Sequence, residues 1–256
     1  MNFLCIVQAR MGSSRLPGKV LLEIQGKSVL WHIINRLKYS NLIDKVVIAT
    51  SNNKKDKAIE YFARKNKIGF YAGSELDLVD RLYKTAKKFG GKYLVRITAD
   101  CPLVDPLIVD KAILYFKKHK GKLDYVSNIT ERTYPDGLDV EVFSFKSLEK
   151  VWNEVKDPFR REWITSNFYE NPHIYKLGIV KNEKNLSHLR WTIDFMEDFS
   201  FVEEIYKNLY KKDKVFHMKE ILELLKKNPE IGYINVQYTK KYSGDSGYKN
   251  ALKQRK

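Results

Sequence analysis

Cysteine is nearly absent from this chain of 256 residues, which holds only Cys5 and Cys101. Two thiols so far apart build neither a disulfide framework nor a zinc site. Cys5 stands in an apolar, strand-like run and reads as a small buried hydrophobe. Cys101 follows Asp100, with no histidine close in sequence to make it a nucleophile. The five histidines (His32, His119, His173, His188 and His217) are widely separated and show no metal spacing. No apolar run approaches the ~20 residues needed to cross a bilayer. The opening run of MNFLCIVQAR is too short for a signal peptide, and no basic region precedes it. A cytoplasmic protein is the plain expectation. Acidic residues are in deficit, 31 against 47 Lys and Arg, a net charge of +16. That excess favours anionic partners. The lysines are nevertheless scattered along helical faces (KKHKGK, KNLYKKDK, ELLKKNPE), which a solvated surface explains equally well.

An apolar content of 43% with 13% aromatics is that of a folded domain with one large core. Short β-branched runs alternate with amphipathic stretches. Strands are predicted at Phe3–Ala9, Lys45–Thr50, Ile68–Tyr71 and Tyr93–Thr98. Helices are predicted from Ser28 (as N-cap) to Lys38, and over Lys55–Lys65, Leu76–Phe89 and Pro106–Lys118. This succession specifies an α/β fold, a mostly parallel sheet with helices on both faces. Beyond it the pattern changes: strands at Asp124–Asn128, Leu138–Phe145, Ile174–Val180 and Leu189–Ile193, and helices from Ser147 and near Phe159–Tyr169. Two helices, about Phe199–Tyr210 and Met218–Lys227, follow. The reading is one domain over residues 1–238 with an α+β insertion at about 127–180. A basic polar tail spans 239–256, with six Lys or Arg against one Asp.

The first strand leads into QARMGSSRLPGK, residues Gln8 to Lys19. In open parallel sheets ligands bind at the carboxyl ends of strands, where this loop emerges. After Gln8 and Ala9, Gly12 and Gly18 allow close backbone approach to an anion, and Ser13 and Ser14 add hydroxyl donors. Arg10, Arg15 and Lys19 place three cations within ten residues, a match for the charge of a triphosphate. Val20 stands where a P-loop requires Ser or Thr, and G-x-G-x-x-G is also absent. A basic surface turn with incidental glycines is the bland alternative.

QARMGSSRLPGKVL resembles the opening motif of the cytidylyltransferases that activate sugar acids, the Kdo and acylneuraminate synthetase superfamily, and most closely the spore-coat-polysaccharide, SpsF-like branch. RITADCPLVDP, YPDGLDVEVF, RREWIT and TIDFMEDF extend the likeness over roughly residues 3–200. The resemblance implies a Rossmann-like nucleotidyltransferase (GT-A-like) fold, CTP as donor and Mg²⁺ as cofactor. It also implies an acidic small-molecule acceptor and a homodimer, with neither membrane nor specific nucleic acid as partner. Asp100 and Asp194 each follow a strand-like run, and the resemblance implies both as metal ligands; each also fits a capping role. Asp105 and Asp198 read as caps. The catalytic set is then Arg10, Arg15, Lys19 and Asp100. Relatives use the SELDLVDRL segment near the nucleotide, which makes Arg81 a further candidate contact; an i, i+4 pair with Asp77 weighs equally.

The resemblance places the acceptor pocket between residues 127 and 141, with Asn128, Arg132, Tyr134, Asp136, Asp139 and Glu141 as candidates. Asp139 and Glu141 are read on one strand face, while YPDG is equally a good turn. Arg161 and Glu162 are the second acceptor patch, in a segment similar to the family's REHVT motif, where Trp163 replaces its histidine. The expected reaction is attack of an acceptor oxygen on the α-phosphorus of CTP, releasing pyrophosphate. Alternatives are the same fold with UTP or GTP, or a non-catalytic basic nucleic-acid binder, although no RRM or zinc-finger module is present.

Overall fold

In the computed structural model, which describes residues 2–119, 122–239 and 253, the first strand divides the molecule in two. From β1 (Phe3–Gln8), Phe3, Cys5 and Val7 enter one apolar cluster, and Leu4 and Ile6 enter another on the opposite face. Apolar residues at both phases of a period of two are what a strand covered on both sides requires. A short 3-10 turn at Lys19–Leu21 and a two-stranded ribbon, β2 (Glu23–Ile24) with β3 (Lys27–Ser28), lead to α1 (Val29–Leu37). Ser28 caps that helix, its Oγ accepting from the Trp31 N–H at 3.2 Å. Then follow β4 (Lys45–Ser51), α2 (Lys57–Lys65), β5 (Gly69–Gly73), α3 (Leu78–Phe89), β6 (Tyr93–Thr98) and α4 (Pro106–Lys118). Strands β5, β4, β1 and β6 lie side by side and parallel. The chain steps outward from β1 to β5, then returns to set β6 on the other flank of β1. Such a reversal opens a crevice beyond the carboxyl ends of the strands.

The second half contributes β7 (Tyr125–Ser127), β8 (Glu141–Ser144), α5 (Phe145–Glu154), α6 (Pro158–Glu162), α7 (Ser166–Tyr169) and β9 (Leu177–Ile179). It closes with α8 (Met196–Leu209), α9 (Met218–Lys227), α10 (Pro229–Tyr233) and α11 (Val236–Thr239). The seven-stranded sheet runs β5-β4-β1-β6-β8-β7-β9, and β8 alone is antiparallel to its neighbours. Helices α1, α4, α8 and α9 pack on one face, and α3, α5 and α7 on the other. The mostly parallel, two-faced α/β sheet read from the sequence is the observed fold. Among the described residues no helix is long and apolar enough to cross a membrane.

Three expectations are corrected. The strand predicted from Leu138 begins only at Glu141, because the Asn128 side chain takes the backbone groups a ladder would use. Its Nδ2 donates to the Leu138 carbonyl at 2.7 Å, and its Oδ1 accepts from the Val140 N–H at 2.8 Å. Leu189–Ile193 is not a strand; it makes one isolated bridge, Arg190 to Asp136. There the Tyr134–Gly137 turn presses so close that a Cβ on Gly137 (φ +107°) would sit 2.5 Å from the Thr192 nitrogen. The helix expected across Phe159–Tyr169 breaks in two at Trp163, whose φ and ψ of −97° and 59° are not helical. The basic tail, Thr239 and Lys253 apart, lies outside the described residues.

Candidate active site

The loop after β1 is pinned at both ends before it can act. The Met11 N–H donates to Asp56 Oδ1 at 2.7 Å, and the Gly18 N–H donates to the Met11 carbonyl at 3.0 Å. Gly18 turns the chain in the left-handed region (φ 74°, ψ 4°), a conformation that costs little without a Cβ. The turn delivers Lys19 inward, where it is only 7% exposed. Ser13, Ser14, Arg10 and Arg15 line the rim of a cleft of about 270 Å³, with Gln8, Lys19, Thr98, Asp100, Trp163 and Asp194 around it. Ala9 is buried beneath the loop, and Gly12 stands exposed at its crest. The loop and both distant aspartates therefore meet at the crevice opened by the strand order.

Three acceptor oxygens from two distant segments converge on the Lys19 ammonium. It donates to Asp100 Oδ2 at 2.9 Å, to Asp194 Oδ1 at 2.8 Å and to the Ile193 carbonyl at 2.6 Å. Burial opposes its charge, but the two carboxylates more than offset this and raise its pKa. Burial likewise pushes Asp100 up, while Lys19 and a hydrogen bond from Thr98 win and bring it down to about 2. Asp194 is gripped further by Arg15 at 2.7 Å and by Arg190, which reaches its Oδ2 at 2.9 Å. Two carboxylates are thus held within reach of one cation, on the wall of a cleft rimmed by arginine and serine.

A second cavity of about 130 Å³ adjoins the first and shares Gln8, Arg10 and Trp163 with it. Arg81 lines it from α3. No ion pair with Asp77 forms: Arg81 Nη1 donates to the carbonyls of Ser74 and Glu75 at 2.6 and 3.2 Å. Its buried Nε has no hydrogen-bond partner. Burial, with the Arg10 charge nearby, lowers its pKa to about 10, still a cation at neutral pH.

Of the eight acceptor candidates, only Glu162 lines either cavity, 3.9 Å from Arg10. The structure ties the other seven into the fold. Asn128 braces the 138–140 segment, and the Arg132 fork holds Asp139 at 2.5 and 2.9 Å. Tyr134 is in the core, accepting from Lys111 at 3.0 Å. Asp136 meets Arg190 at 3.3 Å. Glu141 is buried between Arg96 and the Tyr125 hydroxyl, and so does not pair with Asp139 on a common strand face. Arg161 spans Asp77 and the carbonyls of Trp152 and Val155. Asp105 caps α4 as read, through the Leu107 N–H at 2.9 Å. Asp198 accepts from the N–H groups of Asp194 and Phe195, and it also holds Arg190 by both oxygens. Sequence reasoning missed Arg96, which lines the second cavity, and Arg190. Their common signal was available: a lone arginine inside an apolar β-like run, YLVRIT and LRWTI.

A family model described as cytidylyltransferase matches residues 4–235. An uncharacterized protein of Methanocaldococcus jannaschii is 36% identical over 239 residues, covering 92% of this chain and 95% of its own length. The spore coat polysaccharide biosynthesis protein SpsF of Bacillus subtilis is 28% identical over 237 residues, 90% of this chain and 96% of its own. Among solved structures, a cytidylyltransferase from Leptospira borgpetersenii superposes with a TM-score of 0.86 at 34% identity, covering 91% of this chain and 97% of that one. The matched region takes in the loop at Lys19, both aspartates and the whole sheet, and the chain belongs to the cytidylyltransferase family of nucleotidyltransferases.

Proposed function

We propose that this chain transfers the cytidylyl group of CTP to an oxygen of an acidic small-molecule acceptor, a sugar acid or a related acid, in surface polysaccharide or glycan biosynthesis. The observation that carries this is the meeting of Lys19, Arg15, Asp100 and Asp194 at one cleft. In the reaction the acceptor oxygen bonds to the α-phosphorus, and the bond from that phosphorus to the bridging oxygen breaks. Pyrophosphate departs with the bonding electrons, and the acceptor proton passes to solvent. Arg10, Arg15, Ser13 and Ser14 bind the triphosphate oxygens, and Lys19 neutralises charge building on the leaving group. Gln8 and Arg81 border the second cavity, which suits the remainder of the nucleotide. Glu162 borders the same cavity from α6, beside Arg10, and is the one acceptor candidate found at the site. Positioning and electrostatics supply the acceleration, and no covalent enzyme intermediate is needed.

The donor set fits Mg²⁺. Two carboxylates already share one cation, and a hard divalent ion takes one or two such ligands with water and phosphate oxygens. Among the described residues no group of three or more His, Cys, Asp or Glu is placed to hold a metal, so substrate and water would complete the shell. Asp100 and Asp194 would hold the ion, which would supply positive charge to offset that of the phosphates. The low pKa of Asp100 keeps that ligand ionised across the working range. The test is pyrophosphate release with each of the four nucleoside triphosphates over a panel of 2-keto-3-deoxy sugar acids, sialic-acid-like sugars and phosphorylated small acids. CTP is expected to be preferred. Lys19→Ala and Asp100→Asn should each lower the rate by roughly 10²–10³ with an unchanged circular-dichroism spectrum. Near-normal rates in both variants, or a clear preference for UTP or GTP, would remove the assignment.

A further inference from the structure

The last described turn of the chain reaches the back of the cleft. Asn235, between α10 and α11, is 3% exposed. Its Nδ2 donates to the Arg190 carbonyl at 3.0 Å and to Asp198 Oδ1 at 2.9 Å. Asp198 takes the Arg190 guanidinium at 3.0 and 2.9 Å, and its Oδ2 also accepts the N–H groups of Asp194 and Phe195 at 3.0 and 3.1 Å. Arg190 then donates to Asp194 Oδ2, the oxygen opposite the one held by Lys19 and Arg15. Both the backbone and the rear oxygen of Asp194 are therefore set by a cluster that Asn235 closes. Tyr238 fastens the same corner from outside. Its ring stacks on Phe195 at 4.0 Å and 5°, its hydroxyl donates to Glu197 Oε1 at 3.0 Å, and Arg15 lies 5.2 Å from the Phe195 ring centre.

We propose that Asn235 and Tyr238 form a C-terminal latch whose task is to position Asp194 and Arg15 for the donor and its divalent ion. This rests on the reading of Asp194 given above. The residue type suits the task. Arg190 already faces Asp136, Asp194 and Asp198, so the cluster needs a donor that brings no further charge. An amide supplies that; a lysine would compete with Arg190 for Asp198, and an aspartate would add a fourth carboxylate. Asn235→Asp, nearly isosteric, removes the donors and sets a fourth carboxylate against Asp198, so it opens the latch with the least change of shape. At Tyr238, Phe keeps the stack and Ala removes it.

Binding of Mn²⁺ to the complex of protein with CTP, followed by the electron-paramagnetic-resonance signal of free ion, reads the latch without catalysis. Groups that hold a metal ligand in place are worth 10- to 100-fold in metal affinity or activity. Asn235→Asp is expected to weaken Mn²⁺ by roughly that factor. Tyr238→Ala should weaken it several-fold and Tyr238→Phe should match the parent, while CTP affinity in the absence of metal changes little in all three. A merely structural loss would lower thermal stability without this selective effect on the ion. Asp194→Asn is the control that separates two failures. If it loses Mn²⁺ while Asn235→Asp and Tyr238→Ala bind the ion as the parent does, the latch is wrong and the site stands. If Asp194→Asn itself binds Mn²⁺ normally, the reading beneath the latch falls, and the latch with it.

Discussion

At the scale of single residues, burial acts with one sign and its partners decide the outcome. Lys19 and His32 are both buried, and burial disfavours the charged form of each. Lys19 meets two carboxylates and is held more firmly cationic than usual. His32 meets only a carbonyl: its Nε2–H donates to Ile24 at 2.7 Å, between the rings of Trp31, Tyr206 and Tyr210. That carbonyl cannot offset burial, and the pKa falls to about 4. A stability consequence follows from the sign. Below its ordinary value of 6.5 the unfolded chain protonates this histidine, while the folded chain resists until about 4. Stability is therefore full above pH 6.5 and lost as the pH falls to 4, by on the order of 3 kcal/mol. Asp100 acts in a separate window, its contribution present above 3.8 and lost towards 2. Urea midpoints at pH 7, 5 and 4 should decline in the parent and stay nearly level in His32→Gln, which keeps a donor for Ile24 without titrating. An equal decline in both would assign the acid sensitivity elsewhere.

Between residue and molecule, the elements carry the active site by bringing distant turns together. The turn at Tyr134–Gly137 and the segment Leu189–Ile193 make one bridge, and the latter hands its end to Asp194. Gly137→Ala would drive a Cβ into the backbone at Trp191 and Thr192, and alanine would occupy φ +107° at a cost. A loss of more than about 1 kcal/mol is expected, together with weakened metal binding, because the strain is relieved by moving the Asp194 segment. Chemical denaturation beside a Mn²⁺ titration measures both; a destabilised variant with normal ion binding would show that the turn is only structural. The same segments mark where sequence reading runs out. The first four parallel strands and their helices were legible because each carries its own periodicity and punctuation: Ser28 as cap, Pro106 opening α4, YLVRIT as a continuous run. The loop at Gln8–Lys19 was legible because its chemistry is contiguous. LRWTI has the composition of a strand yet forms none, since its partner is a turn fixed by the distant Gly137. Asn128 was read as a substrate contact because its polarity was visible, while the carbonyl and N–H that it serves were not. Arg96 and Glu141 likewise consume each other across adjacent strands, a pairing that depends on register rather than on either residue.

Over the whole molecule, the net charge of +16 and the cleft make opposing claims on a nucleotide. A diffuse positive surface attracts any polyanion, is weakened by salt, and does not distinguish one triphosphate from another. The cleft is specific only if its elements act together: the β1 loop for the phosphates, Asp100 and Asp194 for the ion, and the cavity beside Arg81 for the remainder. Thermal stabilisation separates these contributions, because a ligand that binds only the folded chain stabilises it by RT ln(1 + [L]/Kd), about 2.7 kcal/mol at a hundredfold excess over Kd. For a chain of this size that corresponds to a rise in Tm of roughly 5–10 °C. CTP with Mg²⁺ is expected to give such a rise, surviving 0.3 M salt, and CTP without metal a smaller one. In Lys19→Ala the metal-dependent increment should vanish while any salt-sensitive, metal-independent increment remains, since that part belongs to the surface. Equal and salt-labile shifts from all four triphosphates, unchanged by Lys19→Ala, would mean that the surface charge binds them and that the convergence of loop and aspartates is not a nucleotide site.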